Sequence, residues 1–177
     1  MARHKEKFYT IKGYFTSPLL YSDMVDRYPD GSIFIEVGVY RGRSLYYLLK
    51  KIKESGKNIT VYGVDYYKGQ SDGFYDETLS NLSEFNGEYK LLRTDSVSAS
   101  KIFKNKSIDF VFIDAGHTYE EVKSDIDAWL PKVKKGGIIS GHDYIYDDNA
   151  VKKVVDELFG ERMDKKYLPE NCWMVEI

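Results

Sequence analysis

The stretch Ser32–Leu49, SIFIEVGVYRGRSLYYLL, decides the fold class. An apolar run (Ile33, Phe34, Ile35) ends at an acid, Glu36; two glycines follow at Gly38 and Gly42; then Leu45, Leu48, Leu49 and Ile52 recur at helical spacing. This reads as a strand, a tight glycine turn and a helix. In an open α/β sheet such a junction lies at the carboxyl edge of the strands, where N–H groups at a helix N-terminus are free to bond a ligand. A cofactor is expected there.

Outward from this junction, strand-like and helix-like segments alternate, the pattern of a parallel sheet built from βαβ units. Strands are expected at Ile33–Val37, Thr60–Val64, Tyr89–Arg93, Ile108–Ile113 and Gly137–Ser140. The clearest helix begins at Thr118, where T-x-x-E to Glu121 forms a capping box, and presents Tyr119, Val122, Ile126, Trp129 and Leu130 on one face until Pro131 and Gly136-Gly137 stop it. Another covers Asn149–Phe159, with Asp147 and Asp148 before it as caps favoured by the helix dipole. Lys165–Leu168 and Cys172–Ile177, separated by a Pro-Glu-Asn turn, read as a terminal hairpin closing the sheet with antiparallel pairing. Residues 1–32 are a lead-in with one helix, Ser17–Tyr28, and residues 66–86, the longest polar stretch, are expected to form a mobile loop over the cofactor edge. No linker divides the chain, so residues 1–177 are read as a single α/β domain.

Bulk properties narrow the function. Hydrophobic residues make up 42% and charged residues 31% of the 177, ordinary for a globular protein. A net charge of -2 gives no electrostatic case for nucleic acid or an anionic membrane as partner. With no apolar run of signal-peptide or membrane-spanning length, a cytoplasmic protein acting on a small molecule is expected. The single cysteine, Cys172, excludes an internal disulfide and reads as a buried strand thiol. Tyrosine is abundant, at 16 residues; Tyr66, Tyr67, Tyr75, Tyr119, Tyr144 and Tyr146 fall in expected loops, where they either line an aromatic pocket or reflect composition alone.

The dinucleotide fingerprint requires glycine at its first, third and sixth positions; counted from Gly38 these hold Gly38, Tyr40 and Arg43, and the pattern fails. What stands here is E-x-G-x-x-x-G-x-S, Glu36 to Ser44, a looser turn suited to a ligand without a pyrophosphate. It resembles motif I of the class I S-adenosylmethionine-dependent methyltransferases, in which the glycine turn accommodates the methionine part of the cofactor. Asp65 closes the second strand 23 residues past Gly42, near the spacing of about 20 for a carboxylate that binds ribose hydroxyls; its plain alternative is a cap. Asp95 and Ser96 follow the third strand, where the resemblance implies contacts to adenine, or they cap the next short helix. The resemblance thus implies cofactor contacts from Glu36, Gly38, Tyr40, Gly42 and Ser44 at the turn, from Asp65 and Tyr66 after the second strand, and from Asp95, Ser96 and Asp114 beyond them. It further implies a three-layer sandwich around a mostly parallel seven-stranded sheet, ordered 3-2-1-4-5-7-6, with an antiparallel C-terminal strand.

Two more motifs end neighbouring strands: Asp114-Ala-Gly-His117 after the fourth and Gly141-His142-Asp143-Tyr144 after the fifth. Asp114, His142 and Asp143 offer oxygen and imidazole ligands acceptable to Mg, Mn or another divalent metal. The match looks like the metal-using small-molecule O-methyltransferases, although histidine at the first position of the second pair departs from their pattern and counts against magnesium specifically. Without metal, His142 orients Asp114 and His117 caps the helix begun by Thr118. Asp114, His117 and His142 are the expected catalytic residues, a histidine taking the acceptor's proton when no metal does so. The N-P-P-Y-type tetrapeptide of methyltransferases that act on amino groups does not follow the fourth strand, so the resemblance implies an oxygen nucleophile such as a sugar or secondary-metabolite hydroxyl. Acceptor contacts are expected from the lead-in, from residues 66–86 and, in a homodimer, from a partner subunit. The rival readings are a nucleotide-dependent oxidoreductase or sugar-modifying enzyme, and a non-catalytic methyltransferase-like binding protein.

Overall fold

Six segments rich in β-branched, aromatic and leucine residues pair into one sheet: β1 (Ile33–Val37), β2 (Thr60–Asp65), β3 (Tyr89–Arg93), β4 (Ile108–Ile113), β5 (Val133–Gly141) and β6 (Trp173–Glu176). The computed structural model describes residues 7–69, 72–145 and 150–177; Tyr146 and the expected caps Asp147 and Asp148 lie outside them. The order is β3-β2-β1-β4-β5-β6, parallel throughout except for antiparallel β6. β1 therefore sits between β2 and β4, the point where the strand order reverses and where a ligand crevice opens in sheets of this kind. β4 is buried at every residue, which is why IDFVFI is almost continuously apolar.

The helices α1 (Pro18–Arg27) and α2 (Arg43–Ser55) cover one face, and a short α3 (Phe74–Asn81) follows β2. The opposite face carries α4 (Ser96–Ser100), α5 (Tyr119–Trp129) and α6 (Ala150–Phe159). Leu45, Leu48, Leu49 and Ile52 of α2 are buried with Leu20 and Tyr21 of α1, as their spacing requires. On the other side Trp129 and Trp173 are completely enclosed among Val111, Ile126 and Val154. Both halves of the Thr118–Glu121 capping box form. The lead-in is pinned to the first face by ring contacts: Phe15 stacks on Tyr21 at 5.4 Å, and Tyr21 meets Phe112 of β4 at 5.0 Å. Among the described residues no helix is long and apolar enough to cross a membrane.

Three expectations are corrected. Among the described residues the sheet has six strands, where seven were expected. Lys165–Leu168 does not form a strand; its side of the hairpin shrinks to one antiparallel bridge, Asp164 to Met174, before a 3-10 turn at Leu168–Glu170. Asp23 of α1 accepts hydrogen bonds from Lys166 (2.5 Å) and Tyr167 (2.7 Å), which draws this segment onto the helix layer, and Pro169 has no N–H to offer a ladder. The surviving strand, β6, takes the place next to β5 that the expected last strand was to fill. The polar stretch 66–86 is not a continuous loop: it contains α3 and a 3-10 turn at Ser83–Phe85, held down by Thr78, Leu82 and Phe85, all buried.

Candidate active site

The turn after β1 exists because Gly38 has no side chain. Its φ is +92°, and a Cβ there would lie 1.8 Å from the carbonyl oxygen of Asp114, so the exits of β1 and β4 touch backbone to backbone. Asp65, at the end of β2, braces the turn: its Oδ2 accepts the N–H groups of Val39 (3.0 Å) and Tyr40 (2.8 Å), and its Oδ1 accepts that of Tyr67 (2.8 Å). Glu36 lies behind the turn and is 1% exposed. Tyr21 donates to its Oε2 at 2.7 Å and Ser44 to its Oε1 at 2.8 Å. Burial outweighs both donors and pushes the Glu36 carboxyl up to about 8.

A cleft of about 430 Å³ opens on the other side of the turn. Gly38, Tyr40, Asp65, Tyr66, Asp95, Ser96 and Asp114, all expected to contact a cofactor, line it; Glu36, Gly42 and Ser44 do not. Gly42 instead begins α2 and packs against Thr78 and Leu82. Asp95 lines the cleft and also caps α4 through the N–H of Ser98 (2.8 Å), a bond that holds its carboxyl below the ordinary range. Ser96 accepts the indole N–H of Trp129 at 2.9 Å. Glu121, Ser124 and Asp125 of α5 complete the wall and were missed by sequence reasoning. Their i, i+3, i+4 spacing was the available signal, since it puts polar groups on a single face of the helix that follows DAGH. Burial raises the carboxyl of Asp125. Among the described residues the lining thus carries five acids (Asp65, Asp95, Asp114, Glu121, Asp125) and neither lysine nor arginine. Such a wall favours a cationic ligand and repels a pyrophosphate.

At Asp114 the cleft adjoins a cluster of acids and imidazoles. Asp143, just past β5 at φ +63°, bridges both rings: its Oδ2 is 2.7 Å from Nε2 of His117, and its Oδ1 is 3.1 Å from Nδ1 of His142. His117 and His142 thereby hold the Asp143 carboxyl far below the usual range, while the carboxylates of Asp114 and Asp143 push His117 up to about 10. Burial favours a neutral His142, but Asp143 and Asp114 outweigh it and its pKa also rises. Nε2 of His142 lies 2.7 Å from the hydroxyl of Thr16, a lead-in residue that sequence reasoning did not single out.

The sequence grouped Asp114, His142 and Asp143 as metal ligands. Among the described residues, the groups whose ligand atoms all lie within 4.8 Å of one another are Asp114, His117 and Asp143. His142 has both ring nitrogens engaged and stands outside that set. Two carboxylates and an imidazole suit a divalent ion of the Mn or Zn type, provided His117 gives up its proton.

Residues 35–144 match the family model described as a methyltransferase domain. The curated protein y4gI of Sinorhizobium fredii, itself uncharacterized, is 26% identical over 115 residues, which are 62% of this chain and 13% of that protein; the chain thus spans only about an eighth of its relative. Among solved structures, a protein of Corynebacterium glutamicum superposes with a TM-score of 0.70 at 17% identity over 99% of this chain and 87% of the other. SMU.1697c of Streptococcus mutans, solved in complex with SAH, gives 0.67 at 16% identity over 93% and 99%. The O-methyltransferase NovP gives 0.63 at 16% identity over 91% and 79%. These likenesses show a shared fold. The chain belongs to the methyltransferase domain family, of the class I type that the turn from Glu36 to Ser44 resembles.

Proposed function

We propose that the chain binds S-adenosylmethionine in the acidic cleft and transfers its methyl group to a hydroxyl oxygen of a small molecule beside Asp114. The observation that carries this reading is the charge of the cleft: among the described residues five acids line it, with no lysine or arginine, where a dinucleotide would bring two phosphates. S-adenosylmethionine supplies an electrophilic methyl on a sulfonium cation, and that cation suits such a wall. Gly38 lets the exits of β1 and β4 meet at the cleft, Asp65 keeps the turn in shape, and Asp65, Asp95 and Ser96 present polar groups along the cleft.

Holding the acceptor oxygen in line with the methyl group supplies much of the rate, about 7 to 11 kcal/mol in well-oriented systems. The acceptor's proton must also leave. His117, with a pKa of about 10, already carries a proton at neutral pH and is not a base in this state. Asp114, which lines the cleft and belongs to the cluster, is the carboxylate placed to receive it. A divalent ion held by Asp114, His117 and Asp143 would supply Lewis acidity that lowers the pKa of the acceptor hydroxyl. The name of NovP as an O-methyltransferase agrees with an oxygen acceptor.

Calorimetric titration of the protein with S-adenosylmethionine and with NAD, at low and at high salt, tests the cofactor assignment. The sulfonium ligand is expected to bind, and more weakly as salt rises; tighter binding of NAD would overturn the reading. Turnover is then followed as S-adenosylhomocysteine release against a panel of small alcohols, phenols and sugars.

A further inference from the structure

The turn that carries Glu170, Asn171 and Cys172 touches both ends of the acid–imidazole cluster. The Glu170 carboxylate accepts the N–H groups of Leu19 (2.7 Å) and Leu20 (2.9 Å), fixing the first turn of α1, and its backbone carbonyl accepts the hydroxyl of Thr16 at 3.1 Å. That hydroxyl is the one within 2.7 Å of His142. Cys172 Sγ lies 3.0 Å from Ser17 Oγ, one residue further along the lead-in.

Asn171 reaches the other end. Its side-chain amide donates to Asp143 Oδ1 at 3.1 Å and accepts the N–H of Ile145 at 2.8 Å, while its backbone carbonyl accepts the N–H of Tyr144 at 3.3 Å. The residue is 7% exposed and sits at φ +60°, a conformation that asparagine tolerates better than most residues. Asp143 is itself left-handed, past the end of β5, so no ladder bond of the sheet orients its carboxylate. Its contacts include two imidazoles, which can gain or lose protons, and one amide, which cannot.

We infer that Asn171 is a positioning residue, whose amide sets the orientation of Asp143 between His117 and His142, with Glu170 beside it holding Thr16 against His142. The inference rests on the reading of this cluster as the site of methyl transfer. Asn171→Gly keeps the left-handed backbone and removes both side-chain bonds. Asn171→Asp keeps the acceptor for Ile145 and replaces the donor with a like charge. Val175→Ala, in buried β6, weakens the fold without touching the cluster and serves as control.

Long-range nitrogen–proton spectra of the histidine rings give a direct readout, because the chain has only 3 histidines. Both Asn171 variants are expected to move the ring signals of His117 and His142 and to lower kcat at least about tenfold, with KM for S-adenosylmethionine within about twofold. Val175→Ala is expected to lower the melting temperature and leave those signals in place. Histidine signals that superpose on the wild type in both Asn171 variants overturn the positioning role, as does turnover within about twofold of wild type. An inactive wild type would refute the proposed function instead, and the spectra would still decide the role of Asn171.

Discussion

Glu36→Gln isolates the energetic role of the carboxyl behind the glycine turn. In the unfolded chain this group ionises near its ordinary value of 4.5, whereas in the folded protein burial holds its proton until about pH 8. The folded state therefore binds more protons between these values, and its stability falls as pH rises through the window, then levels off above it. A shift of this size corresponds to about 5 kcal/mol, and about 2 to 5 kcal/mol allows for relaxation around the charge. Glutamine does not titrate there, and the hydroxyls of Tyr21 and Ser44 can turn so that one donates to its carbonyl and the other accepts from its amide. Urea unfolding of both proteins from pH 5 to pH 9 measures the effect. The variant should match or trail the wild type at pH 5 and gain on it steadily to pH 8. A stability difference that does not change with pH would refute the account of Glu36 as a carboxyl whose ionisation the fold resists.

Three further outcomes follow from the same geometry. Gly38→Ala drives a methyl group into the carbonyl of Asp114 at a positive φ, and a loss of about 3 kcal/mol or more in thermal or urea unfolding is expected; a wild-type melt would contradict the close approach. Asp114→Asn should reduce methyl transfer by at least about 100-fold while S-adenosylmethionine binding, read by calorimetry, changes only a few-fold; full turnover would remove Asp114 from the chemistry. Treatment with EDTA should lower turnover at least about tenfold, with recovery on adding Mn or Zn, and turnover unchanged by chelation in metal-free protein would end the metal role of Asp114, His117 and Asp143.

Much of the scaffold was legible because it depends on local periodicity. β1, β3 and β4 fall where alternation and apolar runs place them, and the Thr118 cap is a contact between residues three apart. The failed glycine spacing by itself points away from a dinucleotide. What sequence could not supply were pairings across long separations. Tyr21 with Glu36 and Thr16 with His142 have no periodic signature, since each partner is polar for a reason that lies on another element. That His117 rather than His142 groups with Asp114 and Asp143 within 4.8 Å has the same origin: both histidines end neighbouring strands, and Thr16, which engages the second ring nitrogen of His142, lies in the distant lead-in. The lost strand near Lys165 turned on a single carboxylate, Asp23, which captures two side chains from a segment with strand-like spacing.

The bonds from Asp65 to the amides of Val39 and Tyr40 have a consequence for the kinetics of ligand capture. These N–H groups are tied down by the protein itself, so the turn is ordered before any ligand arrives and no loop entropy is surrendered at the moment of encounter. Association should proceed in a single phase whose rate scales with ligand concentration, without a slow ordering step. The same two amides should exchange slowly with deuterated water in the free protein, marking a recess whose shape is set during folding.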